Sequence, residues 1–329
     1  MSDPAASAGL SLARRRLLAV PGLQRSLMGR RPVSPLDELV SIVAELDRAE
    51  DGTDPTWDRY GEGGPVAALE SQVAALLGKD ASVMFPSGTM AQQSALRVWS
   101  DRLGSRHIVI PGLSHLLHHE QDGPRVLNDF EWALLTPGVG TGDVVPTADQ
   151  LAAIPGELGA ALLELPLCDG GYLLPSWDQL EAFSLACSER GVPLHLDGAR
   201  IWESGPFLGH TPVEIPALAD TVYVSFYKGL RGLAGAVVAG PEEVISEVRL
   251  WRSRHGGTLA RWHVGRLAGW QVGTLARWHV VDDVAVRRVR PARASRRATP
   301  DGRVSPASAR DGGTAGCQGD PNVSRDPAL

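Results

Sequence analysis

Ala81-Ser82-Val83-Met84-Phe85-Pro86-Ser87-Gly88-Thr89-Met90 carries the reading of the fold in this 329-residue chain. The apolar Ala81–Phe85 reads as a buried strand, Pro86-Ser87-Gly88-Thr89 as a tight turn, and Met90–Leu103 returns to helical periodicity. A strand that turns straight into a helix is half of a βαβ unit. Upstream, Pro35–Glu50 has roughly helical spacing and 51–64 is a Gly/Asp/Pro-rich loop. Pro65 then opens a helix with Val66, Leu69, Val73, Leu76 and Leu77 on one face, stopped by Gly78. Downstream, strands are read at His107–Ile110, Ala160–Leu165, Pro193–Leu196, Thr221–Phe226 and Ala234–Val238. Helices are read at Ser114–Gln121, Trp177–Arg190 and Pro241–Arg254. This alternation implies an α/β fold with a mostly parallel central sheet.

Composition narrows the class. The formal net charge is -6, but it is split. From Arg249 onward there are 15 Arg against 6 Asp, a net of +9, so residues 1–248 carry -15. A hydrophobic share of 43% argues against a disordered or fibrous chain. No apolar run approaches the ~20 residues of a membrane span, so no membrane partner is expected. Arg14-Arg15-Arg16 and Leu17-Leu18-Ala19-Val20 are cut off by Pro21-Gly22, too early for an export signal. Cys168, Cys187 and Cys317 lack CxxC spacing, which favours a reducing, cytoplasmic setting. Residues 1–35 read as an irregular arm and 36–258 as the α/β domain. TLARWHVG, RLAGWQVG and TLARWHVV then repeat in tandem up to Val281. The Arg/Pro/Gly-rich 282–329 reads as a basic disordered tail. It lacks interleaved aromatics, so nucleic acid is not expected as a partner.

Three places carry chemistry. Gly88, between strand and helix, allows close backbone approach to an anion, and Ser87 and Thr89 add hydroxyls; an ordinary N-cap turn is the competing reading. Asp197, in His195-Leu196-Asp197-Gly198-Ala199-Arg200, stands where a strand should end. A buried carboxylate there needs a cationic partner, either a ligand's ring nitrogen or Arg200. Lys228 follows the apolar run Val222–Tyr227 and is one of only two lysines, with Lys79. Burial at a strand end would lower its pKa and make it a nucleophilic amine. A phosphate turn, a strand-end Asp and a Lys 31 residues later fit pyridoxal 5'-phosphate. That cofactor takes a lysine at its aldehyde and a partner at its ring nitrogen. His115, His118 and His119 sit at i, i+3 and i+4. No metal motif accompanies them, so His118 and His119 are read as pocket wall or interface and no metal is expected. His195 reads as a core histidine.

Over about residues 55–258 the chain resembles the threonine aldolase and β-eliminating lyase-related group of fold-type-I pyridoxal-phosphate enzymes. The resemblance is carried by Tyr60-Gly61-Glu62, Leu69-Glu70, Leu77-Gly78-Lys79 and Phe85-Pro86-Ser87-Gly88-Thr89-Met90-Ala91. Ser114-His115 with Glu120, the Asp197 and Lys228 segments, and Trp251–Thr258 complete it. It implies that Lys228 holds the cofactor and Asp197 pairs with its ring nitrogen. Gly88 and Thr89 would bind phosphate with help from Ser87 and Ser225. His115 would stack on the ring and serve as the first candidate for the base. Arg200 would lie near the cofactor oxygen and the substrate carboxylate. The implied activity is cleavage of a threonine-like β-hydroxy-α-amino acid to glycine and an aldehyde, in a homodimer or homotetramer. A β-eliminating lyase on the same scaffold and a non-catalytic remnant are the alternatives.

The chain also departs from that family. Its amino-terminal Asp-Thr-Val-Thr segment is not found in residues 1–50. Glu164-Leu165-Pro166-Leu167 replaces a Glu-Asn-Thr-His-like stretch, Tyr227 a common Ser, and Arg231 a small residue. Residues 259–329 do not resemble the family's carboxy-terminal small domain, so that domain is expected to be missing or altered.

Overall fold

The computed structural model describes Ser34, Leu36, Asp37, Val40 and residues 60–135, 145–230, 232 and 234–258. The expected arm, the short repeats, the basic tail and most of the Pro35–Glu50 helix lie outside the described residues. In chain order the elements are α1 (Gly64–Leu76), β1 (Ala81–Phe85), α2 (Gly88–Leu103), β2 (His107–Pro111), α3 (His115–His118), α4 (Gly123–Asn128) and β3 (Glu131–Leu135). They continue with α5 (Ala148–Ala153), β4 (Ala160–Glu164), α6 (Trp177–Glu189), β5 (Leu194–Gly198), α7 (Ile201–Leu208), α8 (Glu214–Ala217), β6 (Thr221–Ser225), β7 (Ala236–Gly240) and α9 (Glu242–Arg254).

The seven strands form one sheet in the order β1-β7-β6-β5-β4-β2-β3. Strands β3, β2, β4, β5 and β6 run parallel; β7 runs antiparallel to both neighbours. The mostly parallel sheet expected from the alternation is therefore present. Strands β4, β5, β6 and β7 are buried along their whole length, as sheets covered on both faces require. One face packs Leu163, Leu196 and Val222 against Val66, Leu69 and Val73 of α1 and Leu180 and Phe183 of α6. The other packs Val83, Phe85, Tyr223 and Val238 against α2 and α9.

Local sequence explains the ends. Ser87 accepts the Met90 N–H and starts α2, and Gly104 ends it in the left-handed region. Reciprocal capping boxes open α5 (Thr147, Gln150) and α6 (Ser176, Gln179). Two expectations shift. The Ser114–Gln121 helix is only the four-residue α3, and the Ala234–Val238 strand starts two residues later at Ala236. The tertiary lock between α1, β1 and α9 is ionic. Glu70, buried on α1, accepts the Met84 N–H at 2.8 Å, pairs with Arg249 at 2.8 Å and lies 3.5 Å from Arg252. Among the described residues no helix is long and apolar enough to cross a membrane.

Candidate active site

The parallel strands end on one edge of the sheet, where open α/β folds place ligands. In-register pairing brings Glu164 of β4, Asp197 of β5 and Tyr223 of β6 into a single row. In-register neighbours point to the same face, so this row faces α2. Beyond the strand ends lies a cavity of about 360 Å³ lined by His115, Glu164, Asp197, Arg200 and Lys228, with His118, His119 and Tyr172 among its walls.

Asp197 is 2% exposed. Its Oδ1 accepts the Ala199 N–H at 3.0 Å, and the Gln92 side chain from α2 adds a hydrogen bond. Among the described residues no salt bridge neutralises it. Burial pushes its pKa up, while Lys228, the two hydrogen bonds and Arg200 pull it down. Arg200, expected as a possible ion-pair partner for Asp197, instead lies over the Tyr172 ring at 5.2 Å. The two lysines separate cleanly. Lys79 donates to the Ala219 carbonyl at 2.5 Å, a structural contact, whereas Lys228 lines the cavity.

His115 begins α3. Burial, then the charge of Lys228, lowers its pKa to about 4, so its ring is neutral near pH 7. Its Nε2 lies 3.7 Å from Glu120, and its ring stacks on His119 at 4.6 Å. His119 Nε2 is 2.8 Å from Asp169. His118 and His119 are thus pocket wall, as the sequence implied; His118 Nε2 donates to the Gly112 carbonyl at 2.9 Å.

Ser87, Gly88, Thr89 and Ser225 do not line the cavity. Ser87 is an N-cap, the competing reading of that turn. A Cβ on Gly88 would lie 2.1 Å from the Tyr223 hydroxyl, so glycine is required there by packing, whatever it binds. The Thr89 side chain hydrogen-bonds Glu120, and buried Ser225 interacts with the Tyr223 hydroxyl. The amino end of α2, with backbone N–H groups at Gly88 and Thr89, still points an anion-favouring helix terminus toward this edge.

Sequence reasoning passed over Glu164, Glu120, Asp169 and Tyr172 as site residues. Glu164 carried the same signal as Asp197, an acid closing an apolar strand. Its pKa is raised to about 7 by burial first and by Asp197 second. Asp169 sits in the loop after β4, and the partner that defines it, His119, is 50 residues away.

A beta-eliminating lyase family matches residues 44–301, beyond the 55–258 span of the sequence resemblance. Low-specificity L-threonine aldolase 1 of Arabidopsis thaliana is 28% identical over 244 residues, covering 69% of this chain and 62% of its own. The low specificity L-threonine aldolase of Escherichia coli K12 is 31% identical over 205 residues, covering 61% of this chain and 60% of its own. A solved Listeria monocytogenes EGD-E protein, provisionally named an L-allo-threonine aldolase, is 38% identical with a TM-score of 0.68. It covers 76% of this chain and 69% of its own. The chain thus spans under two-thirds of the length of both of these curated relatives.

Proposed function

The chain belongs to the beta-eliminating lyase family, and from that premise we propose that it is a pyridoxal 5'-phosphate-dependent carbon–carbon lyase. Its substrate would be a threonine-like β-hydroxy-α-amino acid, and its products glycine and an aldehyde. One observation carries the reading: a buried Asp197 with no salt bridge among the described residues, Lys228, Arg200 and a neutral His115 meet at one cavity on the carboxyl edge of the sheet.

The residues fit the cofactor. A carboxylate this buried is stabilised by a cationic ring nitrogen. The cavity offers an amine at Lys228, and the start of α2 offers backbone N–H groups to a phosphate. When bound, pyridoxal phosphate supplies an aldehyde for the substrate amine and an electron-withdrawing ring. Lys228 would hold that aldehyde. Asp197 would keep a proton on the ring nitrogen. The backbone N–H groups of Gly88 and Thr89 would hold the phosphate, and Ser87 and Ser225 could help only by giving up their present contacts with the Met90 N–H and Tyr223. Arg200 would orient the substrate carboxylate. His115 would stand beside the ring, and its neutral imidazole can accept the proton of the β-hydroxyl. The reading includes a large domain over 36–258. It also includes a cytoplasmic homodimer or homotetramer, supported by the family likeness; the cysteine pattern expected to mark a reducing setting gives no support, because Cys168 is disulfide-bonded.

Borohydride treatment of the cofactor-loaded protein should fix the cofactor on Lys228, and Lys228→Ala should abolish that adduct. Threonine, allothreonine or phenylserine should then yield glycine. An unmodified Lys228 would defeat the cofactor assignment. Ammonia and a keto acid in place of glycine would move the reaction to β-elimination, and an adduct with no turnover would identify a non-catalytic binder.

A further inference from the structure

We propose that Glu164 is a positioning residue of this site: its carboxylate grips two backbone N–H groups from separate segments and thereby sets where His115 stands. This rests on the reading above, in which His115 and Asp197 work on a bound cofactor.

Glu164 closes β4, and its Cα is paired with that of Asp197. Its Oε2 accepts the His115 N–H at 2.8 Å and its Oε1 accepts the Cys168 N–H at 3.0 Å. One carboxylate therefore ties α3 and the loop after β4 to the strand beside Asp197. The grip matters because the amino end of α3 has no cap of its own, whereas farther along Leu116 packs in the core and His118 and His119 bond Gly112 and Asp169. The helix is four residues long, well short of what an isolated helix needs. Its N-cap residue, Ser114, makes no side-chain cap, and the buried Ser114 Oγ has no hydrogen-bond partner among the described residues. The capping acceptor comes instead from Glu164, 49 residues away.

The chemistry calls for a carboxylate. Two donors need two acceptor oxygens; glutamine offers one oxygen and turns an NH2 against the other donor. The arrangement is also costly, since it buries a second acid next to Asp197. The groups that face Glu164 are Asp197 from β5, Lys228 after β6, and the two N–H donors. His119 and Arg200 stand farther round the same cavity, Asp169 pairs with His119, and Glu120 follows α3. Burial and Asp197 outweigh the stabilising Lys228 and N–H groups, so Glu164 gains its proton near neutrality. A protonated oxygen accepts more weakly, and the grip loosens as pH falls.

The test compares the full-length protein with Glu164→Gln. Without added cofactor, amide exchange in residues 114–119 should be about tenfold faster in the variant, the scale of one lost hydrogen bond to a charged group. With cofactor, borohydride trapping on Lys228 should persist. The kcat should fall about tenfold with KM within about twofold, as expected when ground-state binding survives but a reacting group is misplaced. The acid limb of the wild-type kcat near pH 7 should vanish in Glu164→Gln. Unchanged exchange together with an unchanged pH profile would overturn the proposal. Should Glu164→Gln fail to fold, the wild type decides. Its protection at His115, corrected for intrinsic rates, should drop between pH 8 and pH 6, and constant protection would overturn the proposal. If Lys228 is never trapped in the wild type, the functional reading fails on its own, while the exchange measurement still judges Glu164.

Discussion

His115 and His195 are both kept neutral by burial, with opposite uses. His195 is fully buried on β5, and its Nδ1 meets the Thr221 Oγ1 at 2.9 Å; burial alone brings its pKa to about 3. His115 faces a cavity, where a neutral ring can take up a proton. A histidine whose pKa is lower folded than unfolded binds fewer protons in the folded state. Stability is then lost as pH falls from about 6.5 toward 3. In denaturant unfolding, the wild type should therefore lose about 2 kcal/mol relative to His195→Gln between pH 7 and pH 5. A difference that does not change with pH would refute this. Asp197, Arg200, Lys228 and His115 were legible in the sequence because each is a reactive type at a strand end or in a recognisable segment. Glu164 closed its strand with the same signal as Asp197 but was passed over, while Glu120 and Asp169 take their roles from contacts remote in sequence, with Thr89 and His119.

At the scale of elements, apolar runs located most strands and helices. What escaped did so for physical reasons. The edge strand β3 is largely unburied, and its apolar run is only the four residues Trp132–Leu135. Helix α7 contains Gly205 and Pro206, residues that normally interrupt a helix. The start of β7 was misread because an apolar run does not mark where pairing begins; the partner Phe85 does, opposite Ala236. The turn into α2 is held by packing as much as by its cap. Gly88→Ala would drive a methyl against the buried Tyr223 ring and hydroxyl, and should cost about 1–3 kcal/mol in unfolding experiments. A loss below about 0.5 kcal/mol would mean the turn relaxes freely, contrary to overpacking.

At the scale of the molecule, the described body is tied together by contacts remote in sequence. Glu70 and Arg252 are 182 residues apart, yet both hold β1, Glu70 through the Met84 N–H and Arg252 through the Met84 carbonyl at 3.0 Å. Glu70→Ala would remove the acceptor of the buried Met84 N–H and the carboxylate shared by Arg249 and Arg252, and should cost about 3–5 kcal/mol, measured by chemical denaturation. A cost near zero would show that water or the Met84 carbonyl suffices. The sequence by itself determined the α/β alternation, the parallel sheet, the family, and Asp197 and Lys228 as the pair to watch. Periodicity, turn chemistry and reactive side chains are local, and they survive in one dimension. Only the tertiary structure decided the strand order, the reversal of β7, the packing reason for Gly88, and Glu164 as the hold on His115. Those depend on which strand ends lie side by side and which acids share one buried edge. Burial and electrostatic coupling of that kind arise only when distant segments meet.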